Sequence, residues 1–227
     1  MKSEWLFPAS VAEAKRVQKE LAARVQLQDS FPQKISYITG LDVSNNPFDP
    51  EKMIYASAVT LSYPELVPIE SSSTAEKQPF PYISGLLGFR EAPALIHAVN
   101  QLKIRPDILM VDGHGVAHPR KLGIASHVGV LLDIPTIGVA KSILVGASTE
   151  NLSDEPGSHI PLIWKGETIA AVVRTKKRCT PLIISPGHRI TLKTAVSLVL
   201  SCIRGYRLSE PTRLAHLASN AHRIAHK

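Results

Sequence analysis

The chain has 227 residues, 44% of them hydrophobic, and a mean hydropathy of +0.04, values that exclude the disordered and membrane-embedded classes and leave room for one sizeable core. No run approaches the ~20 apolar residues that span a bilayer, so no membrane partner is expected. A formal charge of +7 and a pI near 9.5 favour a polyanionic partner such as nucleic acid. The two cysteines, Cys179 and Cys202, lack paired spacing and read as reduced core thiols; with no apolar signal core in MKSEWLFPAS, a cytoplasmic location is expected.

In chain order, Ser10-x-x-Glu13 is a capping box that opens a helix with Ala14, Val17, Leu21 and Val25 on its apolar stripe. Tyr37 to Ser44 alternates as a strand, Asn45-Asn46-Pro47 turns the chain, Met53 to Tyr63 is β-rich, and a short strand is expected near Leu66 to Glu70. These predict an antiparallel meander. Asp42 lies inside its first strand, where an unpaired charge is costly: either it caps a turn or pairs with a lysine, or it holds a metal. Ser71 to Gln78 reads as a polar loop leading to Pro79-Phe80-Pro81-Tyr82-Ile83-Ser84-Gly85, a segment stiffened by two prolines. Its aromatics either anchor the loop on the core or present a wedge to a base stack.

Glu91 opens an apolar-periodic segment with Leu95, Ile96, Val99 and Leu102, which places it on a first helical turn. Ile108 to Val111, bounded by turn signals, is a buried strand that ends in Asp112. A helix carrying Leu122, Ala125 and Gly129 leads to a second strand, Thr136 to Ala140, which ends in Lys141; strand, helix, strand predicts a parallel pair. Ile163 to Arg174 reads as a hairpin about Lys165-Gly166-Glu167, and Leu182 to Ser185 as a short strand before Pro186-Gly187-His188-Arg189. A helix with Leu192, Val196 and Val199 follows, then a last helix with Pro211 in its first turn and Leu214, Leu217, Ala221 and Ile224 facing inward. With no repeat and no linker, residues 1–227 are expected to form one α/β domain around a mixed sheet.

If the meander's first strand lies beside the strand that ends at Asp112, the two aspartates are neighbours and Glu91 enters from the adjoining helix. At ~4 Å and an effective dielectric of ~20, each like-charge pair costs on the order of 4 kcal/mol, so the cluster must take up protons or hold a divalent cation. Oxygen ligands suit Mg²⁺ or Mn²⁺ better than zinc, and the glycine and proline around His114 and His118 argue against a helical zinc pair there.

The blocks GLDVS, PYISGLLGFRE, VDGHGVAHPRKLG, IGVAKS, ISPGHR and EPTRLAH, in this order from Gly40 to His216, resemble those of the endonuclease V family of deoxyinosine-directed repair nucleases. The resemblance implies a ribonuclease H-like fold, a mixed central sheet flanked by helices, and a Mg²⁺-dependent deoxyribonuclease (Mn²⁺ an alternative) that acts on inosine-containing DNA. Such an enzyme nicks the second phosphodiester bond 3′ to the lesion and leaves 3′-hydroxyl and 5′-phosphate ends. It assigns Asp42, Glu91 and Asp112 to the metal, Lys141 to the scissile phosphate, and His216 to a further metal-site or acid/base position. It implies a wedge at Pro81, Tyr82 and Ile83, with Ser84 where the family has a second proline, and a lesion pocket at Gly85, Leu87, Gly113, Ile124 and Leu144. Arg90, His118, Ser185 and His188 fall at motif positions expected to contact phosphate or support the site. A monomer is expected. Inosine-containing single-stranded RNA is the alternative substrate, and a non-cleaving inosine- or branch-binding protein is the alternative class.

Overall fold

A computed structural model describes residues 2–226. Helix α1 (Val11–Ala22) begins as its capping box dictates: Ser10 Oγ accepts from the Glu13 N–H at 3.1 Å, and Glu13 reaches back to the N–H of Ala9 at 2.7 Å. Strands β1 (Tyr37–Asn45), β2 (Met53–Ser62) and β3 (Pro68–Lys77) form the antiparallel meander. The expected polar loop from Ser71 is instead the body of β3. It is polar because it is an edge strand, and its hydroxyls have partners: Ser73 bonds Ser57 at 2.7 Å, while Ser72 and Thr74 donate to the carbonyls of Ala98 and Ala94.

Helix α2 (Leu87–Asn100) starts four residues before Glu91. Glu91 therefore sits in its second turn, not its first. The true start carries no capping side chain, since Leu86 occupies the cap position, and so leaves no sequence signature. Strand β4 (Ile108–Val111), helix α3 (Ile124–Leu132) and strand β5 (Thr136–Ala140) form the expected parallel unit. Strands β6 (His159–Trp164) and β7 (Glu167–Val173) make the hairpin, which begins earlier than Ile163. Strand β8 (Leu182–His188) runs past Ser185, because a register shift at Thr136/Ile137 accommodates Pro186 opposite β5. Helices α4 (Leu192–Ser201) and α5 (Glu210–Ala225) complete the chain.

All eight strands join one sheet in the order β3-β2-β1-β4-β5-β8-β7-β6, with β1, β4 and β5 mutually parallel and the other pairings antiparallel. Alternation along the strands sends Leu109, Val111 and Leu41 to the face covered by α2 and α3, and Ile38, Ile108 and Met110 to the face covered by α4 and α5. Both faces are therefore dry, which explains why β4 and β5 read as unbroken apolar runs.

Helix α5 departs from its expected orientation. Leu217 and Ile224 are 52% and 61% exposed and Ala221 also faces outward, while Thr212, Ala215 and Ser219 are buried. The inward stripe is small and polar because the helix sits directly on β1: a Cβ at Gly40 would lie 1.8 Å from the Pro211 carbonyl oxygen. A leucine stripe would hold the helix too far off. Gly40→Ala is accordingly expected to destabilise the protein by about 3 kcal/mol, since backbone must move to admit the methyl group. Urea unfolding measures this, and an unchanged midpoint would show that α5 does not depend on the close approach.

Candidate active site

The site follows from the parallel pairing of β1 and β4. Leu41 stands opposite Val111, and the Asp112 N–H donates to the Leu41 carbonyl at 2.9 Å, so the next residue on each strand is an aspartate and the two are neighbours. Both carry the strand parity that faces α5. From that helix Ser219 Oγ donates to Asp42 Oδ2 at 2.6 Å and His216 Nδ1 lies 3.1 Å from the same oxygen. Asp42, Asp112 and His216 each bring a ligand atom within 4.8 Å of the others, the only such trio among the described residues. Glu91 stands outside this trio yet close enough to feel both aspartates.

Electrostatics mark these acids as strained by proximity. Burial, reinforced by the charge of Asp112, pushes Asp42 up to about 6 against the pull of Ser219 and His216. Burial also pushes Glu91 up to about 7, with the Arg90 guanidinium opposing and both aspartates adding to the rise. Asp112 Oδ2 is buried, with the Lys141 ammonium 2.5 Å away. A cluster of hard oxygen donors, two of them reluctant to ionise, fits a divalent cation of the Mg²⁺ or Mn²⁺ type. Zinc does not find its histidine pair: His114 Nε2 faces the Ser142 carbonyl and His118 Nε2 the Gly85 carbonyl.

The loops beside the acids hold most of the other expected residues. Gly113, at φ +154°, leaves space that a Cβ would lose, 2.4 Å from Ile124 Cγ2, so these two pocket positions are in contact. Gly85, at φ +75°, presents a carbonyl that accepts from Gln18 (2.8 Å), His118 Nε2 (3.0 Å) and Arg120 (2.7 Å). His118 Nδ1 accepts from the Arg120 N–H, and burial drives its pKa down to about 4; it is a neutral brace for the glycine loop, not a free phosphate ligand. Ser185 Oγ accepts from the Gly115 N–H at 2.8 Å and pins the loop after Asp112. Leu87 is half-buried at the start of α2, and Leu144 is 39% exposed in the segment after β5.

The two aromatics of the proline segment face opposite ways. Phe80, 7% exposed, packs with Phe89, Leu86 and Leu21 as the anchor, whereas Tyr82 projects at 70% exposed, between exposed Pro81 and half-buried Ile83. Buried Arg90 places its guanidinium 5.6 Å from the Tyr82 ring centre, leaves Nε unpaired, and lines with Tyr82 and Asn46 an open cleft of about 720 Å³. His188 is not brought to the site. Strand β8 runs antiparallel to β5, which puts His188 opposite Thr136 at the far end of the sheet, bonded to Asp133 and the Gln26 N–H. Ser219 and Asn220, by contrast, were not expected; their signal lay in spacing, at three and four residues after His216 on one helical face.

Comparison with known proteins bears on this geometry. The family model described as Endonuclease V matches residues 19–217. An Endonuclease V of Protochlamydia amoebophila is 53% identical over 219 residues, which cover 96% of this chain and 93% of the relative. The crystal structure of Endonuclease V from Streptomyces avermitilis superposes with a TM-score of 0.89 at 36% identity, covering 97% of this chain and 96% of that one. Ciona intestinalis Endonuclease V, solved in complex with a 24mer DNA containing an inosine followed by a ribo-adenosine, gives a TM-score of 0.83 at 29% identity, over 96% and 99% of the two chains. The mixed sheet and its flanking helices are thus the ribonuclease H-like fold of these nucleases. On the match across the chain, this protein belongs to the endonuclease V family.

Proposed function

We propose that this protein is a DNA repair endonuclease that recognises deoxyinosine and hydrolyses the second phosphodiester bond 3′ to it, leaving 3′-hydroxyl and 5′-phosphate ends. It would work as a monomeric, single-domain cytoplasmic enzyme; among the described residues no helix is long and apolar enough to cross a membrane. The observation that carries the reading is the juxtaposition of Asp42 and Asp112, with Glu91 nearby. A module that binds without cutting has no use for three crowded acids.

Asp42, Glu91 and Asp112 would hold Mg²⁺ or Mn²⁺, which when bound supplies a Lewis acid beside the scissile phosphate. The chain's own residues do the rest. Lys141, held at Asp112 by charge, stabilises negative charge as water attacks phosphorus and the bond to the 3′ oxygen breaks. Tyr82, on its proline-stiffened loop and beside Arg90, fills the gap left by the extruded base. Gly85, Leu87, Gly113, Ile124 and Leu144 would line the lesion pocket, where backbone groups accept from N1–H of hypoxanthine and donate to O6. Adenine, with these two polarities reversed, is rejected. His118, Gln18 and Arg120 keep the Gly85 carbonyl fixed while this happens.

The reading is tested with an end-labelled duplex carrying one deoxyinosine, its adenosine counterpart and a matched inosine RNA, each with Mg²⁺ or EDTA. One Mg²⁺-dependent nick in the deoxyinosine strand is expected; cleavage of RNA alone would move the substrate to RNA, and binding without cleavage would remove the nuclease. In this assay Asp112→Asn is expected to slow cutting about a thousandfold or more, as loss of several kcal/mol of charge stabilisation implies. Tyr82→Ala is expected to weaken binding to the inosine duplex more than to the inosine single strand, as gel-shift titrations would show; equal losses would argue against a wedge.

Raised carboxyl pKa values also set a pH dependence. Because Asp42 and Glu91 hold protons in the folded state up to about 6 and 7, well above the range of an unfolded carboxyl, their stabilising contribution is full at low pH and is lost as pH rises through those values. In EDTA, the Tm of the native protein relative to an Asp42→Asn, Glu91→Gln double variant should therefore fall between about pH 4 and pH 7. Mg²⁺ should reverse the fall. The buried histidines His118 and His127 cancel in this difference, so a flat profile would mean that burial does not hold protons on these acids.

A further inference from the structure

Asp42 is reached from α5 by a chain of hydrogen bonds that continues past His216. Asn220 Nδ2 lies 3.1 Å from His216 Nε2 and 3.0 Å from the His216 carbonyl; Asn220 Oδ1 accepts from Ser44 Oγ at 2.7 Å; and Ser44 Oγ accepts from Arg223 Nε at 2.8 Å. The geometry is a ladder between two elements. Asp42 and Ser44, two apart, share one face of β1, and His216, Asn220 and Arg223, four and three apart, share one face of α5.

The direction of every proton in this chain is set by its outer end. Arginine only donates: Arg223 Nε gives its hydrogen to Ser44 Oγ, and Arg223 Nη2, 3.5 Å from Asn220 Oδ1, faces the amide as well, so the atom that Asn220 presents to this end is its oxygen, which accepts from Ser44. Asn220 must then turn its oxygen to Ser44 and its amide nitrogen to the helix, where two acceptors receive it: the His216 carbonyl and His216 Nε2. With Nε2 accepting, Nδ1 is the ring nitrogen that carries hydrogen, and it faces Asp42 Oδ2. Were the ring protonated on Nε2 instead, two donors would meet at Asn220 and two lone pairs at Asp42.

We infer that Asn220, oriented by Ser44 and Arg223, is a positioning residue that locks His216 in its Nδ1–H form and so delivers a fixed hydrogen-bond donor to Asp42. Both ring nitrogens are then engaged. His216 serves the site by holding the carboxylate with Ser219 at Oδ2, which leaves Asp42 Oδ1 for the cation. This assignment rests on the proposed role of Asp42 as a cation ligand, but the lock itself can be read without metal or substrate.

The experiment is ¹⁵N NMR of the imidazole nitrogens of the full chain in EDTA, with Mg²⁺ affinity then measured by titration calorimetry. In the native protein His216 is expected to carry its proton on Nδ1. In Asn220→Asp, whose side chain only accepts, Nε2 is expected to become protonated, and Mg²⁺ affinity is expected to fall about tenfold or more, the usual cost of disturbing an outer-shell partner. KM for the inosine duplex should stay within twofold while kcat at limiting Mg²⁺ falls. Asn220→Ala, which adds no charge, should give mixed tautomers and serves if the first variant does not fold. A native Nε2–H ring, or an unchanged ring in both variants, would overturn the lock; a reversed ring with unchanged Mg²⁺ affinity would overturn its role in positioning. Failure of the native protein to cut inosine DNA would bear on the substrate reading alone.

Discussion

Two carboxylates forced side by side by a pair of parallel strands are the constraint around which the rest of this molecule is arranged. The β1–β4 pairing allows no other outcome, since the Asp112 N–H is committed to the Leu41 carbonyl and the side chains that follow must share a face. Like charges this close cannot both ionise cheaply in a dry site. The surroundings answer that problem from two sides: the Ser219 hydroxyl and the His216 ring from α5 at Asp42, and an ammonium from the end of β5 at Asp112.

Helix α5 shows what that answer requires of the packing. To bring His216 and Ser219 within hydrogen-bond reach of a strand side chain, the helix gives up a thick apolar contact and rests small residues on Gly40. Leu217 and Ile224 are left on the outside as a result. Burial that would ordinarily stabilise the helix by a few kcal/mol is traded for polar reach, a local conflict of the kind found where function and stability diverge.

The loops proposed to recognise the lesion are built on the opposite principle, rigidity of backbone. One glycine carbonyl held by three donors, a second glycine packed against Ile124, and a proline-stiffened loop anchored by Phe80 leave Tyr82 as the projecting ring. These parts belong to connections between elements, yet each is tied to a buried group. A pocket that separates hypoxanthine from adenine by donor and acceptor polarity needs such fixed backbone.

Local sequence by itself determined the meander's first two strands, the apolar runs of β4 and β5, the capped start of α1 and the acids at strand ends, because each is written in short-range periodicity or capping chemistry. The motif blocks named the family. Only the tertiary structure decided the rest. The hydroxyl-rich segment from Ser71 became strand β3 because β2 offered it an edge to pair with, and the start of α2 moved to Leu87 because packing stood in for a cap. The antiparallel turn of β8 carried His188 away from the acids despite its place in a motif, while Ser219 and Asn220, unremarkable in the sequence, arrived beside them. Partners of that kind lie far apart along the chain, and their hydrogen bonds exist only once the sheet and helix that carry them have met.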